Sequence, residues 1–194
     1  MRNRPQLSNV FVLVTVLLAL VACSVNVKKD AEGKDKNVDI NTPFGGIHVN
    51  NNADVRDTGL PVYPGARPKE KSESGDEKSA NVDISTSAFG LKVVAVEYRS
   101  DDSPSKLVAY YQDQLKKYGK VLQCHTSHGA SYTGNHDHGR DSNELKCEGD
   151  NSGKTIELKA GTQSNQHIVA IEPQEKGANF ALVYVRTRGK EDTI

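Results

Sequence analysis

The chain has 194 residues, 25 acidic and 25 basic side chains, and no tryptophan. Its net charge is zero, so it has no basic field for nucleic acid. The sequence also has no long run of one charge sign that would steer a charged partner. The lack of tryptophan weakens any hypothesis of a carbohydrate-stacking platform. We therefore expect no nucleic-acid partner.

The first 22 residues divide into the zones of a secretory signal peptide. Arg2 and Arg4 give a positive start, and residues 10–22 (VFVLVTVLLALVA) are apolar apart from Thr15. Signal peptides combine a basic start, about 7–15 apolar residues and a small residue at the cleavage site. A transmembrane helix needs about 20 apolar residues. We interpret residues 1–22 as a cleaved signal peptide rather than as a short uncleaved anchor or a buried core helix.

The segment LVAC, which ends at Cys23, resembles the lipobox of bacterial lipoproteins. That resemblance implies a diacylglycerol attached to Cys23 by a thioether, cleavage before this cysteine, and acylation of the new amino terminus. Several acyl chains hold a protein firmly, because each buried methylene contributes about 0.8 kcal/mol. An aspartate after the cysteine favours the inner membrane in the common Gram-negative sorting pattern, so Ser24 favours the outer membrane. The expected setting is the cell envelope, with the lipid bilayer as a partner through acylated Cys23.

Beyond the lipobox, charged segments alternate with apolar-rich ones. Residues 23–36 are polar and charged beyond the cysteine, which predicts a flexible tether, and residues 67–80 predict a charged linker or mobile loop. Between them, residues 37–66 predict an N-terminal hairpin and a Pro/Gly-rich segment. The sequence leaves open whether residues 37–66 join the main sheet or form a separate small unit.

An internal repeat flanks the charged linker. Residues 37–50 (NVDINTPFGGIHVN) and residues 81–94 (NVDISTSAFGLKVV) align without gaps, 44 residues apart. Both copies alternate apolar and polar residues before a glycine-containing turn, which predicts two similar hairpins. Two copies are too few for a solenoid. We interpret them as one strand-turn-strand solution used twice rather than as a duplicated binding site.

Residues 81–190 predict an α+β domain. Ser103 is a candidate helix cap, Pro104 suits the first helical position, and Gly119 suits the end. Apolar residues recur at helical spacing between them. These are Leu107, Val108, Tyr111, Leu115 and Tyr118. Strands are predicted at residues 90–99, 121–126, 144–148, 155–160, 167–171 and 180–187. We expect an antiparallel sheet of about six strands with one helix packed on a face.

Two further segments resemble a group of uncharacterised bacterial lipoproteins. These are PVYPGA (residues 61–66) and DDSPSKLVAYYQDQLKKYG (residues 101–119). In that group a YPGA turn precedes a strand and a VxxYYxxxL helix. The resemblance covers the chain from about residue 37 onward and implies the fold, but it brings no catalytic residues.

Two cysteines, Cys124 and Cys147, remain after the predicted cleavage. An even pair in an exported protein predicts a disulfide. We expect it to join adjacent strands of a hairpin across 22 intervening residues. The alternative interpretation makes both cysteines metal ligands together with His125 and His128.

The segment between the cysteines contains four of the six histidines: His125, His128, His136 and His138. Neutral imidazoles bind Zn²⁺, Cu²⁺ or Ni²⁺. The spacing does not match a closed structural zinc site, and ordering this glycine-containing loop would cost entropy. The histidines therefore predict either a metal site or a polar loop in which they are incidental.

No sequence pattern indicates catalysis. Residues 149–155 (GDNSGKT) resemble a phosphate-binding loop, but they have three residues between the glycines instead of four and lead into a predicted strand. No serine lies in a GxSxG motif. We therefore expect a lipoprotein that is not an enzyme, has no cofactor, and acts as a binding or structural module with an envelope protein as a candidate partner. The alternative is a metal-binding lipoprotein that uses the His-rich loop 125–138.

Overall fold

The computed structural model describes residues 24–29, 35–69, 79–127, 143–147 and 151–189. Ten strands and one α-helix occur in this part of the chain. The strands are β1 (Ser24–Lys29), β2 (Asp35–Thr42), β3 (Gly45–Asn50), β4 (Arg67–Pro68), β5 (Ser79–Thr86), β6 (Gly90–Ser100), β7 (Leu122–Thr126), β8 (Thr155–Thr162), β9 (Asn165–Pro173) and β10 (Ala178–Arg188). The helix α1 (Pro104–Leu115) continues into a 3₁₀ turn (Lys116–Tyr118), and another 3₁₀ turn spans Val55–Thr58.

All ten strands belong to one sheet, and every pairing in it is antiparallel. The order is β1-β2-β3-β5-β6-β10-β9-β8-β7, and β4 pairs with β6 on the edge that β5 also uses. With one helix on this sheet, the α+β class is confirmed. The expected count of about six strands is too low because residues 24–68 contribute four strands of their own. Residues 37–66 therefore join the main sheet through β2 and β3.

Two predicted irregular segments contain strands. Ser24–Lys29 forms β1 and pairs with β2, so the prediction of a flexible tether is wrong for residues 24–29. Val25 and Val27 alternate with polar residues there, and pairing with β2 satisfies the backbone groups that a tether would leave to water. At the predicted charged linker, Arg67–Pro68 forms β4. Residues 70–78 lie outside the described part of the chain.

The repeat forms two hairpins with the same register. In β2 and β3, Val38 lies opposite Val49 and Ile40 opposite Ile47; in β5 and β6, Val82 lies opposite Val93 and Ile84 opposite Leu91. Each turn also uses a threonine. The hydroxyls of Thr42 and Thr86 donate to the carbonyls of Gly45 and Phe89, respectively, both at 2.9 Å. The prediction of two similar hairpins is confirmed.

Helix α1 begins where the sequence predicts. Pro104 occupies the first turn, and Ser103 precedes it with an extended backbone but makes no side-chain capping hydrogen bond. Leu107, Tyr111 and Leu115 form a buried stripe that packs against β8 and β9. The Tyr111 hydroxyl accepts a hydrogen bond from the Tyr63 amide at 3.0 Å. The helix and the Pro/Gly-rich segment are thereby fixed to each other.

The main core lies between α1 and one face of the sheet. Apolar side chains from β6, β8, β9 and β10 meet the helix there. Its buried members are Leu60, Val96, Tyr98, Leu107, Tyr111, Leu115, Leu158, Ala160, Val169, Ile171, Ala178, Phe180 and Leu182. A smaller buried cluster of Ile168, Val183 and Val185 lies on the opposite face. The sheet therefore has a helix-covered face and a second face that is also apolar near its centre.

Candidate functional site

Cys23, the predicted lipidation residue, lies outside the described part of the chain, but its neighbour Ser24 is the first residue of β1. Ser24 pairs with Asn41, one residue before the Thr42 that closes the β2–β3 turn. The chain therefore enters the sheet at the end where both repeat hairpins turn. The lipidation of Cys23 stays a prediction.

Cys124 and Cys147 form a disulfide, with their Cα atoms 5.4 Å apart. The prediction of a hairpin with a strand at residues 144–148 is wrong, since residues 143–147 form no strand. The Lys120 Nζ lies 3.6 Å from the Glu144 Oε1, and the Cys147 sulfur lies 3.6 Å from the Gln123 carbonyl oxygen. These contacts follow the same order along both segments, so residues 144–147 run in the direction of residues 120–123. The disulfide attaches this segment beside β7 without a hydrogen-bonded ladder.

The histidines of the predicted metal site are only partly described. His125 lies in β7, and its backbone amide donates to the Asn151 side chain at 2.6 Å. His128, His136 and His138 lie outside the described residues. Within the described ranges, no three His, Cys, Asp or Glu side chains are grouped to hold a metal ion. The disulfide removes both thiolates from the alternative ligand set, and the metal site of four histidines stays a prediction.

Six neighbouring strands come to one end of the sheet, which we call the hairpin-tip end. It consists of Ser24, the turns at residues 42–45 and 86–90, and Arg188. The strands here lie in the order β1-β2-β3-β5-β6-β10. At about 4.8 Å between neighbouring strands, the hairpin-tip end spans about 24 Å.

Large apolar side chains are exposed at the hairpin-tip end. Phe44 lies on the β2–β3 turn and is 81% exposed, and Phe89 lies on the β5–β6 turn and is 42% exposed. One residue behind the tips, Val25, Ile40, Ile47, Ile84 and Leu91 form a continuous row across five strands. Within this row Val25 is 65% exposed. Grouped apolar exposure of this kind marks an interaction surface rather than scattered surface residues.

On the other face, three cations are grouped at the β6–β10 side of the hairpin-tip end. Lys92 pairs with Arg186, and Gly90 pairs with Arg188. Together with Asp83, these residues border a pocket of about 200 Å³. None of the ion pairs within 4 Å among the described residues involves Lys92, Arg186 or Arg188.

A buried histidine lies between the hairpin-tip end and the core. His167 is 8% exposed, and its Nδ1 lies 2.8 Å from the Thr58 carbonyl, which fixes a proton on Nδ1. Its ring stacks on the Tyr118 ring, with the ring centroids 3.5 Å apart, and the Tyr118 hydroxyl donates to the Gly59 carbonyl. Burial lowers the pKa of His167, an effect larger than the rise caused by its hydrogen bond to Thr58. The cluster fixes the 3₁₀ turn Val55–Thr58 to the sheet. It does not indicate a catalytic role.

We expect His167 to contribute to the pH dependence of stability. The unfolded imidazole binds a proton near about pH 6.5, whereas the folded one stays neutral to lower pH because its pKa is depressed. This contribution is therefore complete above about pH 6.5 and is lost as the pH falls through the folded pKa. In urea unfolding at about pH 7.5 and about pH 5, His167→Gln should lose less stability on acidification than the native chain. Equal losses would show that His167 titrates normally.

Sequence reasoning missed the hairpin-tip end as a site. The repeat predicts the two turns, but Phe44 and Phe89 occupy different positions in its two copies, so the repeat does not identify them as a shared feature. Lys92 and Arg186 lie far apart in the chain and meet only through the β6–β10 register. A further missed pair is His48 and Asp39, whose side chains are 2.8 Å apart on adjacent strands.

Comparisons with protein-family models, with curated proteins and with solved structures gave no match. The resemblance to uncharacterised lipoproteins therefore stays a prediction. Among the described residues, no helix has both the length and the apolar character needed to cross a membrane.

Proposed function

We propose that this chain is a bacterial lipoprotein, cut before Cys23 and anchored in the cell envelope by acyl chains on that cysteine. Its α+β domain acts as a binding or structural module and not as an enzyme. Ser24 after the lipobox favours the outer membrane over the inner one. An envelope protein is the partner class we propose for the end of the sheet opposite the anchor.

The observation that carries the proposal is the position of Ser24. The lipobox cysteine directly precedes a strand that starts at the hairpin-tip end, where apolar and cationic side chains are exposed. A lipid anchor at this point would bring the exposed apolar and cationic side chains of the hairpin-tip end close to the bilayer. The Cys124–Cys147 disulfide gives independent support for export, because such bonds persist in oxidising compartments.

The side-chain chemistry supports a non-catalytic role. His48 and Asp39 form the nearest approach to a catalytic pair, at 2.8 Å. Among the described residues, no serine, threonine or cysteine side chain is hydrogen-bonded to His48, so the pair has no nucleophile to activate. The Nδ1 of His167 is hydrogen-bonded to the backbone carbonyl of Thr58 instead.

Metabolic labelling with a fatty-acid analogue tests the anchor. We expect label on the native chain and on Ser24→Ala, which keeps the thiol, and none on Cys23→Ala, because the thioether and the cleavage that follows both need the thiol. Density separation of the two membranes then reports which membrane carries the labelled protein. Label on Cys23→Ala, or an unlabelled native chain, would contradict the proposal.

A further inference from the structure

We propose that the hairpin-tip end lies on the membrane surface and binds the phosphates of anionic lipid headgroups. In this arrangement Phe44 and Phe89 enter the interfacial region, and Lys92, Arg186 and Arg188 contact the phosphates. The inference rests on the proposed lipid anchor at Cys23 and adds an orientation and a lipid class to it.

The length of the connection limits how far the domain can stand from the bilayer. Consecutive Cα atoms are about 3.8 Å apart, and Ser24 already pairs with Asn41 in the sheet. With lipid on Cys23, no spacer separates the acyl chains from the strand. Ser24 is therefore held within a few side-chain lengths of the headgroups, and the β2–β3 turn beside it is held there with it. The β5–β6 turn lies further along the same end of the sheet.

The apolar side chains of the hairpin-tip end suit this position. Five large apolar side chains are exposed among the described residues, and four of them, Val25, Phe44, Ile47 and Phe89, lie on the tips or one residue behind them. Phenylalanine is among the apolar residues that membrane-surface proteins bury at the boundary between headgroups and acyl chains. Phe44 is 81% exposed at the end of a tight turn. Its side chain can therefore enter the interfacial region of the membrane without any change in the sheet.

The cations supply charge complementarity. Arg186 and Arg188 lie two residues apart on one face of β10, and Lys92 lies beside Arg186 on β6. Arginine binds phosphate through two parallel N–H donors, and lysine binds it as a point charge. The single carboxylate at their pocket is Asp83, which lies opposite Lys92, so the described side chains that border the pocket have a net positive charge. A surface with this charge is attracted to anionic lipid.

The arrangement also orients the rest of the domain. Strand β6 runs through eleven residues from Gly90 at the hairpin-tip end to Ser100, a distance of about 33 Å. The β9–β10 turn, which includes Lys176, lies at the opposite end. That end therefore points away from the bilayer and is the one open to an envelope partner.

Single-tryptophan variants test the orientation, because the native chain contains no tryptophan. The acylated protein is purified from bacterial membranes and placed in vesicles of phosphatidylglycerol and phosphatidylethanolamine that include brominated lipid as a quencher. We expect quenching and a blue-shifted emission for Phe44→Trp and Phe89→Trp, and neither for the control Lys176→Trp. If acylated, vesicle-bound Phe44→Trp and Phe89→Trp are quenched no more than Lys176→Trp, the docking proposal is overturned while the anchor stands. If the purified protein carries no acyl chains, the proposed function fails instead.

Charge removal tests the lipid class. In the Phe44→Trp background, Arg186→Gln with Arg188→Gln removes two cations of the site, and Lys154→Gln with Lys176→Gln removes two exposed cations from the opposite end as a control. We expect the ratio of docked to undocked protein on anionic vesicles to fall about fivefold for each site cation removed, and to stay unchanged in the control. Quenching that is equal on anionic and zwitterionic vesicles, or equal in the two double variants, would overturn the assignment of the phosphate site.

Discussion

Lys159→Met is expected to lower the free energy of unfolding by about 3–5 kcal/mol. Lys159 and Glu157 lie on the same face of β8, with side chains 3% and 1% exposed and their charged atoms 3.4 Å apart. Their neighbours in the register are apolar or small: Leu122 and Ile168 flank Lys159, while Cys124 and Ala170 flank Glu157. Lys159→Met removes the ammonium that lies 3.4 Å from this buried carboxylate. Urea unfolding at neutral pH measures the loss.

A double variant separates the lost counter-charge from lost packing. Glu157→Leu with Lys159→Met removes both charges and keeps similar volume, so it should recover most of the stability lost by Lys159→Met alone. A loss of less than about 1 kcal/mol for Lys159→Met would instead show that water reaches the pair in solution. A double variant as unstable as the single one would show that Lys159 acts through packing.

Removing the disulfide is expected to cost about 3 kcal/mol. Cys124 and Cys147 are 23 positions apart, and the bond limits the conformations of the unfolded chain between them. It also holds residues 143–147 beside β7, where they form no strand of their own. Urea unfolding of Cys124→Ala with Cys147→Ala measures the loss.

The matched control for that variant is the native chain in the presence of a reductant. It loses the covalent bond but keeps both side chains, so any further loss in the alanine variant reports the packing of Cys124, which is fully buried. If the oxidised and reduced chains have equal stability, the disulfide makes no contribution to the folded state and the account of residues 143–147 is wrong.

Local signals predicted the helix and the repeat hairpins. The start of α1 depends on Pro104 and on the spacing of Leu107, Tyr111 and Leu115, all within twelve residues of chain. The repeat hairpins follow from alternation around turns, and the disulfide from an even pair of cysteines in a chain whose sequence predicts export. These features require no knowledge of distant segments.

The two wrong predictions of secondary structure concern segments whose conformation depends on distant parts of the chain. Ser24–Lys29 is short and alternates only at Val25 and Val27, and it becomes a strand because β2 is available to pair with it. Conversely, residues 144–148 alternate like a strand, but a disulfide holds residues 143–147 in place without a ladder. Local sequence does not encode either partner, because strand propensity depends on the neighbours that a strand packs against.

The hairpin-tip end could not be predicted for a related reason. Phe44 and Phe89 become one surface only when β3 pairs with β5 and brings the two turns together. Arg186 reaches Lys92 only through the register of β6 and β10. A register shift of one residue would move these side chains to the other face of the sheet, so their grouping is a property of the fold rather than of any segment.

The intact mass of the protein purified from bacterial membranes tests the lipid anchor most directly. The account predicts a chain that starts at Cys23 and carries a diacylglycerol and an amide-linked acyl chain, with this added mass absent from Cys23→Ala. An unmodified full-length mass would contradict it, since Ser24 and the hairpin-tip end would then have no anchor to hold them at a membrane.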